Sequence, residues 1–311
     1  METQALRQLE VDAAPPIPKR ESPLAQVLST CAQVFRQDRL AMMGAIIYAI
    51  FILVALGAPL IAPYGELEVV EDEFGIWLSN QKPSAQFRLG TTNLGRDIFS
   101  QLVYGSRTAL LVGFSAAVAV AIIGTLVGLT SGYFGGWVDT ALMRLTDIAF
   151  GVPFLPLIII LVAFLRPSIW NVVLAMAGLL WRDTGRVIRA QVLLVKEKSF
   201  VQAARVSGAS DLRIMFLYVA PSILPLTFLY GSLAVGWAIL TEASVSFLGF
   251  GDPNTVSWGY MLQDAFVSQA MSRGATYWII PPGVCIMLAV MAGFFIGRGF
   301  EEVLFPHLRR Q

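Results

Sequence analysis

The run LAMMGAIIYAIFILVALGAPLIA, Leu40–Ala62, holds 23 residues and no charge. As a helix it is about 34 Å long, enough to cross a bilayer core of about 30 Å. In lipid every backbone N–H and C=O must be satisfied internally, so a run like this spans as a helix. Five more apolar runs follow: Thr108–Leu129, Met143–Leu165, Ser168–Trp181, Leu224–Phe250 and Tyr277–Ile296. The third is broken by Gly151-Val152-Pro153, where a kink is expected. The fourth is short and reads as a tilted or partly protein-buried span. The sixth carries Pro281-Pro282 toward its outer end. The prediction is an all-α integral membrane protein with about six transmembrane helices. Only 14% of the residues are charged, against about 25% in an average soluble domain, and this agrees with a membrane protein.

Lysine and arginine accumulate on the cytoplasmic side of membrane proteins. With the N-terminus inside, fifteen of the 22 basic residues fall in cytoplasmic segments. Both termini are therefore expected in the cytoplasm. The predicted organisation is a cytoplasmic tail, 1–39, and a first span, 40–62. An extracytoplasmic loop, 63–107, and a membrane-embedded core, 108–296, come next, with a cytoplasmic loop at 182–223. A C-terminal tail, 297–311, closes the chain. Within the first tail Leu24, Val27, Leu28, Cys31, Val34 and Phe35 recur at helical spacing. This fits an amphipathic helix on the membrane surface or an ordinary leader to the first span. The outer loop carries Glu66, Glu68, Glu71, Asp72 and Glu73. Two readings fit it: a docking surface for an extracytoplasmic partner, and a solvated loop. Asp97–Tyr104 reads as a short surface helix leading into the second span. Trp258 and Tyr260 read as interfacial anchors.

The chemistry the chain lacks is informative. It has one histidine, His307, and two cysteines, Cys31 and Cys285, with no metal-ligand spacing. No Gly-Lys pair occurs, so there is no P-loop for ATP. No nucleophile is paired with a base, which argues against a membrane-embedded enzyme. A net charge of +1 gives no field for nucleic acid.

One polar stretch interrupts the apolar chain: EKSFVQAARVSGASDLRIMFLYVAP, Glu197–Pro221. Ser199 and Gln202 have capping-box spacing, predicting a helix that starts at Ser199. Gly208 ends it, since glycine accepts the left-handed conformation after a helix. Ser210-Asp211 starts a second helix, with Asp211 at its positive end. Ala203 and Ala204 remove bulk and allow close approach of another backbone, with Arg205 beside them. The two readings are a rigid docking helix and a loop stabilised by its own caps.

The stretch resembles the cytoplasmic loop of ATP-binding-cassette importer permeases, which usually reads Glu-Ala-Ala, three residues, Gly, and later Leu-Pro. Here these positions are Gln202-Ala203-Ala204, Gly208 and Ala220-Pro221, so Gln202 and Ala220 depart from the pattern. LGTTNLGRDIFSQLVYGSRTALLVG (89–113), GYFGGWVDTALMRLTD (132–147) and EASVSFLGFGDPNTVSWGYML (242–262) resemble the dipeptide, oligopeptide and nickel branch, as does the closing GRGFEEVLFPHLR. The likeness covers roughly residues 25–310. It implies a type I importer permease fold and ATPase coupling through Ser199, Gln202, Ala203, Ala204, Arg205, Gly208 and Asp211. It also implies a second homologous permease subunit in a heterodimer, two cytoplasmic ATPases and an extracytoplasmic solute-binding protein. ATP and Mg would then be bound by the partners, with no cofactor in this chain. Peptides are the first substrate class it suggests, with nickel complexes, glutathione-like compounds and oligosaccharides as alternatives.

Glu242 is the acid embedded in the fifth run, with Ser244 and Ser246 following. A mid-bilayer charge on an exposed helix costs about 2.5–3.5 kcal/mol. These residues either line a path or gate, or form a packing hydrogen bond. A secondary transporter or channel using Glu242 is the competing function. Arg144 and Asp147, three apart on one helix face, can pair, and Asp139 can cap or balance the turn YFGGW before them.

Overall fold

The computed structural model describes residues 32, 34–36 and 38–304. The amphipathic helix read in 1–39, and His307 in the C-terminal tail, lie largely or wholly outside them. Helix α1, Arg39–Leu56, starts because the Asp38 carboxylate accepts from the Leu40 and Ala41 amides at 2.6 and 3.3 Å. Gly57 ends it, and α2, Ala58–Ile61, adds one turn. Met42, Ile46, Ile50 and Leu53 are exposed on one side of α1. The other side approaches the last helix closely: a Cβ on Gly44 would stand 2.6 Å from the Ala292 carbonyl oxygen.

Residues 62–97 form a cap with three isolated β-bridges and no longer ladder. Buried Thr91 and Thr92 hold it: Thr91 Oγ1 accepts from the Gln81 amide, and Thr92 Oγ1 from those of Leu94 and Arg96. Arg96 donates to the Tyr260 hydroxyl at 3.3 Å. Burial pushes the nearby Asp264 carboxyl above its ordinary value, and Arg96 pulls it back. Asp97 caps α3, Ile98–Phe134, by accepting from the Ser100 amide at 2.8 Å. The surface helix expected at Asp97–Tyr104 is the first part of this 37-residue helix.

Helix α3 packs along α6, Ile169–Val195. The contact runs through Gly124, Gly128 and Gly132, spaced by four. Added Cβ atoms would come within 2.6 Å of Thr184 Cβ, 2.6 Å of the Gly185 oxygen and 2.8 Å of Val192 Cβ. Both sets of numbers rise together, so α3 and α6 are parallel, and the chain between them must return across the bundle. It does so through α4, Gly136–Gly151, and α5, Phe154–Leu165, which meet at 90°. The break falls at the Val152-Pro153 step, as the Gly-Val-Pro signal predicts.

Helix α7, Ser199–Val206, and α8, Asp211–Ile214, follow. A π-helical turn, Met215–Val219, then joins α8 to α9, Ala220–Phe247. Helix α10 is Trp258–Val267 and α11 is Thr276–Leu304, continuous through Pro281-Pro282. Among the described residues four helices are apolar and long enough to cross a membrane: α1, α3, the continuous helix Asp211–Phe247 and α11. A fifth is added if the bent α4–α5 pair is one span. Helix α6 is about 40 Å long, but Arg182, Asp183, Arg186 and Arg189 occupy its second half. The short fourth run is thus the apolar first half of a longer, charged helix.

Trp258 does not anchor at an interface. It is fully buried, its indole donating to the Leu102 carbonyl at 3.0 Å and its ring against Phe51. A Cβ on Gly105 would stand 2.7 Å from it. The indole found both a hydrogen-bond acceptor and an apolar cradle inside the fold, which an interface would otherwise supply.

Candidate functional site

The polar loop sits at the end of the bundle opposite the cap. The Lys196 ammonium donates to the Gly132 carbonyl at 3.0 Å, satisfying the last turn of α3. Helix α7 then begins at Ser199, as the sequence suggests, but not through the expected cap. Lys198 is its N-cap, with no side-chain capping bond, and the Lys198 carbonyl accepts from Val201 and Gln202. Ser199 is therefore the first helical residue, and the expected capping box does not form. Gln202 stands one position past the box; its amide donates instead to the Lys196 carbonyl across 3.4 Å. A glutamate has no N–H to make that bond, which gives the departure at this position a local reason.

The end of α7 follows the prediction. The Gly208 amide donates to Arg205 O and the Ala209 amide to Ala204 O, at 3.0 and 3.1 Å. With φ +81° at Gly208, this is a complete Schellman closure. A Cβ on Gly208 would meet nothing within 4 Å. Only the backbone angle requires glycine here.

The two alanines face opposite ways. Ala204 and Val201 are buried in a cluster with Val192, Val195, Ile214 and Met215. Ala203 is exposed, on a face shared with Phe200 and with Val206, which is 90% exposed. Leu212 beyond the turn is exposed too. Asp211 accepts from the Tyr133 hydroxyl at 2.8 Å, and Arg205 also lies against that hydroxyl. The loop is thus fastened to α3, α6 and α9 while a small apolar face points outward.

Arginines on α6 hold α4 and the break. Arg182 lies over Phe150 and Phe154 at 4.6 and 5.8 Å and donates to the Ala149 carbonyl. Arg186 lies 4.3 Å over Phe150 and pairs with Asp147 at 2.7 Å. Arg189 makes two 2.5 Å bonds to Asp139. Of the partners open to it, Asp147 pairs not with Arg144 but across to α6, where Arg186 is fixed by a ring. Asp139 balances Arg189 rather than a turn. A double-mutant cycle on Asp139→Ala and Arg189→Ala, read by thermal unfolding, should show coupling of about 1 kcal/mol or more for this part-buried bidentate pair.

Glu242 is buried, and Oε1 accepts from Ser246 Oγ at 2.6 Å. Ser257, at the start of α10, also lies against the carboxyl. A Cβ on Gly259 would stand 2.3 Å from the Ala243 oxygen. Glu242, Ser246 and Ser257 thus clasp the α9–α10 elbow. Ser244 donates to Leu240 O at 2.8 Å and lines an apolar cavity of about 450 Å³ with Leu155, Phe247 and Leu262.

A largely apolar face that carries several polar groups lies elsewhere, between α6 and α9. Two cavities of about 340 and 350 Å³ adjoin there and share Tyr230 and Leu233. Arg182, Asp183 and Thr184 line the first, Gln191 and Glu301 the second. The Asp183 side chain is 57% exposed, about 21 Å along α6. The sequence carried the signal, a run of charges after an apolar half-span, but not which side of α6 they occupy.

Known proteins bear on this arrangement. The family described as binding-protein-dependent transport system inner membrane component matches residues 124–310. The N-terminal TM domain of oligopeptide transport permease C matches 28–89. The dipeptide transport system permease protein DppC of Alkalihalophilus pseudofirmus is 36% identical, over 88% of each chain. DppC of Haemophilus influenzae is 34% identical, over 89% of this chain and 93% of its own. The glutathione transport system permease protein GsiD of Escherichia coli O157:H7 is 35% identical, over 88% of this chain and 89% of its own. The protein is a multi-pass component of a bacterial inner membrane. Its family leaves ATP hydrolysis to a separate subunit and does not support the secondary-transporter reading of Glu242. A helix bundle with a fastened polar loop at one end, matched along most of its length to such permeases, belongs to the transmembrane permease subunits of ATP-binding-cassette importers.

Proposed function

We propose that this chain forms half of a translocation path for peptides or similar small solutes, driven by ATPase subunits through α7. The single observation that carries the reading is α7 itself: closed by the Gly208 motif, packed underneath through Val201 and Ala204, with Phe200, Ala203 and Val206 turned outward. A rigid helix with that outer face hands a partner's motion to the helices beneath it. Ser199, Gln202, Arg205 and Asp211 serve its placement. ATP and Mg are held by the partner ATPases. The parallel packing of α3 and α6 supports six crossings, and the beginning of α1 and end of α11 meet near Gly299 at the loop end. The distribution of basic residues supports both termini and α7 on the cytoplasmic side and the cap outside. The segments 1–39, 40–62, 63–107, 108–296 and 297–311 keep the roles the sequence suggests.

The path is assigned to the α6–α9 face. An exposed Asp183 at that depth is costly against lipid, so water or a second, homologous permease subunit covers it. A heterodimer closes the path between two such faces. Glu242 and Ser246 act as the clasp behind it, and Ser244 stands at its side. Peptides fit because the named relatives act on a dipeptide or glutathione, polar solutes suited to a face bearing carboxylate, amide and phenol groups. The test is cysteine labelling in the assembled complex. Cysteines at Asp183 and Tyr230 should react with a charged, membrane-impermeant thiol reagent at least tenfold faster than cysteines at Trp170 and Leu174. Equal rates would remove the path from this face.

A further inference from the structure

The cap carries a feature that the path and α7 leave unused. Residues 69–78 form a tight hairpin. Val69 and Glu71 bridge to Arg96 and Trp77. The Asp72 carboxylate accepts from the Phe74 and Ile76 amides at 2.8 and 2.9 Å, the Asp72 amide donates to Ile76 O, and Gly75 takes φ +76°. The turn is therefore preformed. Its tip is strongly apolar, yet nothing among the described residues covers it: Phe74 is 86% exposed, Ile76 63% and Trp77 51%. Glu71 and Glu73, on either side of Asp72, are exposed, and among the described residues no ion pair involves any of the three.

We infer that this hairpin is the contact by which the permease engages the rim of its extracytoplasmic solute-binding protein, at a surface that is apolar at its centre and basic around it. The inference rests on the importer reading, which puts the cap outside, where such a protein arrives. Preorganised aromatic side chains are what concentrate binding energy at protein interfaces. The charge decides between occupants. A tip entering the bilayer would carry Glu71 and Glu73 to an anionic headgroup surface and strip their water, both unfavourable. A protein rim bearing Lys or Arg satisfies them and steers the encounter. The hairpin also has a mechanical footing. Its strands bond onward through Val70 N to Gly95 O, Asn80 N to Thr92 O and Ile98 N to Gly90 O, so the tip is tied to the first turn of α3, the helix that reaches Tyr133 and the α7 loop at its far end.

The test uses the complete transporter in lipid nanodiscs and its cognate solute-binding protein loaded with a dipeptide. Phe74→Ser with Trp77→Ser should weaken binding at least tenfold. Glu71→Lys with Glu73→Lys should weaken it comparably and lose the salt dependence of the wild type. The substituted side chains are exposed, so assembly and basal ATPase activity should hold. Unchanged affinity in both variants would overturn the inference while leaving the importer reading intact. No binding to the wild-type complex would overturn both. A fluorophore on Phe74→Cys should shift when the binding protein is added; quenching by brominated lipid before it is added would make the hairpin a membrane contact and overturn the inference.

Discussion

Gly128→Leu is expected to abolish accumulation of folded protein, read as loss of the monodisperse peak in fluorescence-detected size exclusion. The Cβ alone would stand 2.6 Å from the Gly185 oxygen and 2.7 Å from Ile188 Cβ. The Gly185 oxygen belongs to a helix backbone and cannot step aside as a side-chain tip can. Even Gly128→Ala should cost about 1–3 kcal/mol, the usual penalty for overpacking, and lower the melting temperature measurably. Leucine would have to push α3 and α6 apart along their whole contact, opening Gly124 and Gly132 as well. In a membrane no hydrophobic effect draws helices together, so close packing through small residues carries much of the association. Full folding of Gly128→Leu would show that this contact is incidental.

The second large effect concerns the two adjacent alanines of α7. Ala203→Glu should leave folding and melting temperature unchanged and reduce ATPase assembly and transport by at least a hundredfold. Ala204→Glu should instead fail to fold, because it buries a carboxylate among Val192, Val195, Ile214 and Met215. Gly208 separates the same roles by another route. A non-glycine residue in the left-handed region costs roughly 1–2 kcal/mol, and asparagine tolerates that region best. Gly208→Asn should therefore keep most transport and Gly208→Val lose it, although neither side chain meets a neighbour within 4 Å at Cβ. Equal behaviour of the two alanine variants in assembly and stability would mean that α7 has no distinct outer face.

Much of this arrangement is legible in the residues. Four of the six apolar runs coincide with helices long enough to span, and the Gly-Val-Pro step marks the 90° break in a fifth. Gly208 marks the end of α7 because a single backbone angle demands it. The start of the same helix is less legible. Ser199-x-x-Gln202 has the spacing of a capping box, but spacing does not say which residue leaves helical geometry first, and Lys198 does. Gly124, Gly128 and Gly132 stand in the chain as three glycines spaced by four. Their partner on α6, however, lies about 60 residues away, and no local pattern names it.

By itself the sequence determined where the apolar segments lie and where helices must stop. Those are local matters of hydropathy and backbone freedom. Only the tertiary structure decided which side of each helix is covered. It put Glu242 against Ser246 and Asp183 on an open face. It turned Ala203 outward and Ala204 inward, buried Trp258, and paired Asp147 with Arg186. A charge, an alanine or a tryptophan is the same in the chain wherever it ends up; its role is set by the neighbours that packing brings to it from distant parts of the sequence.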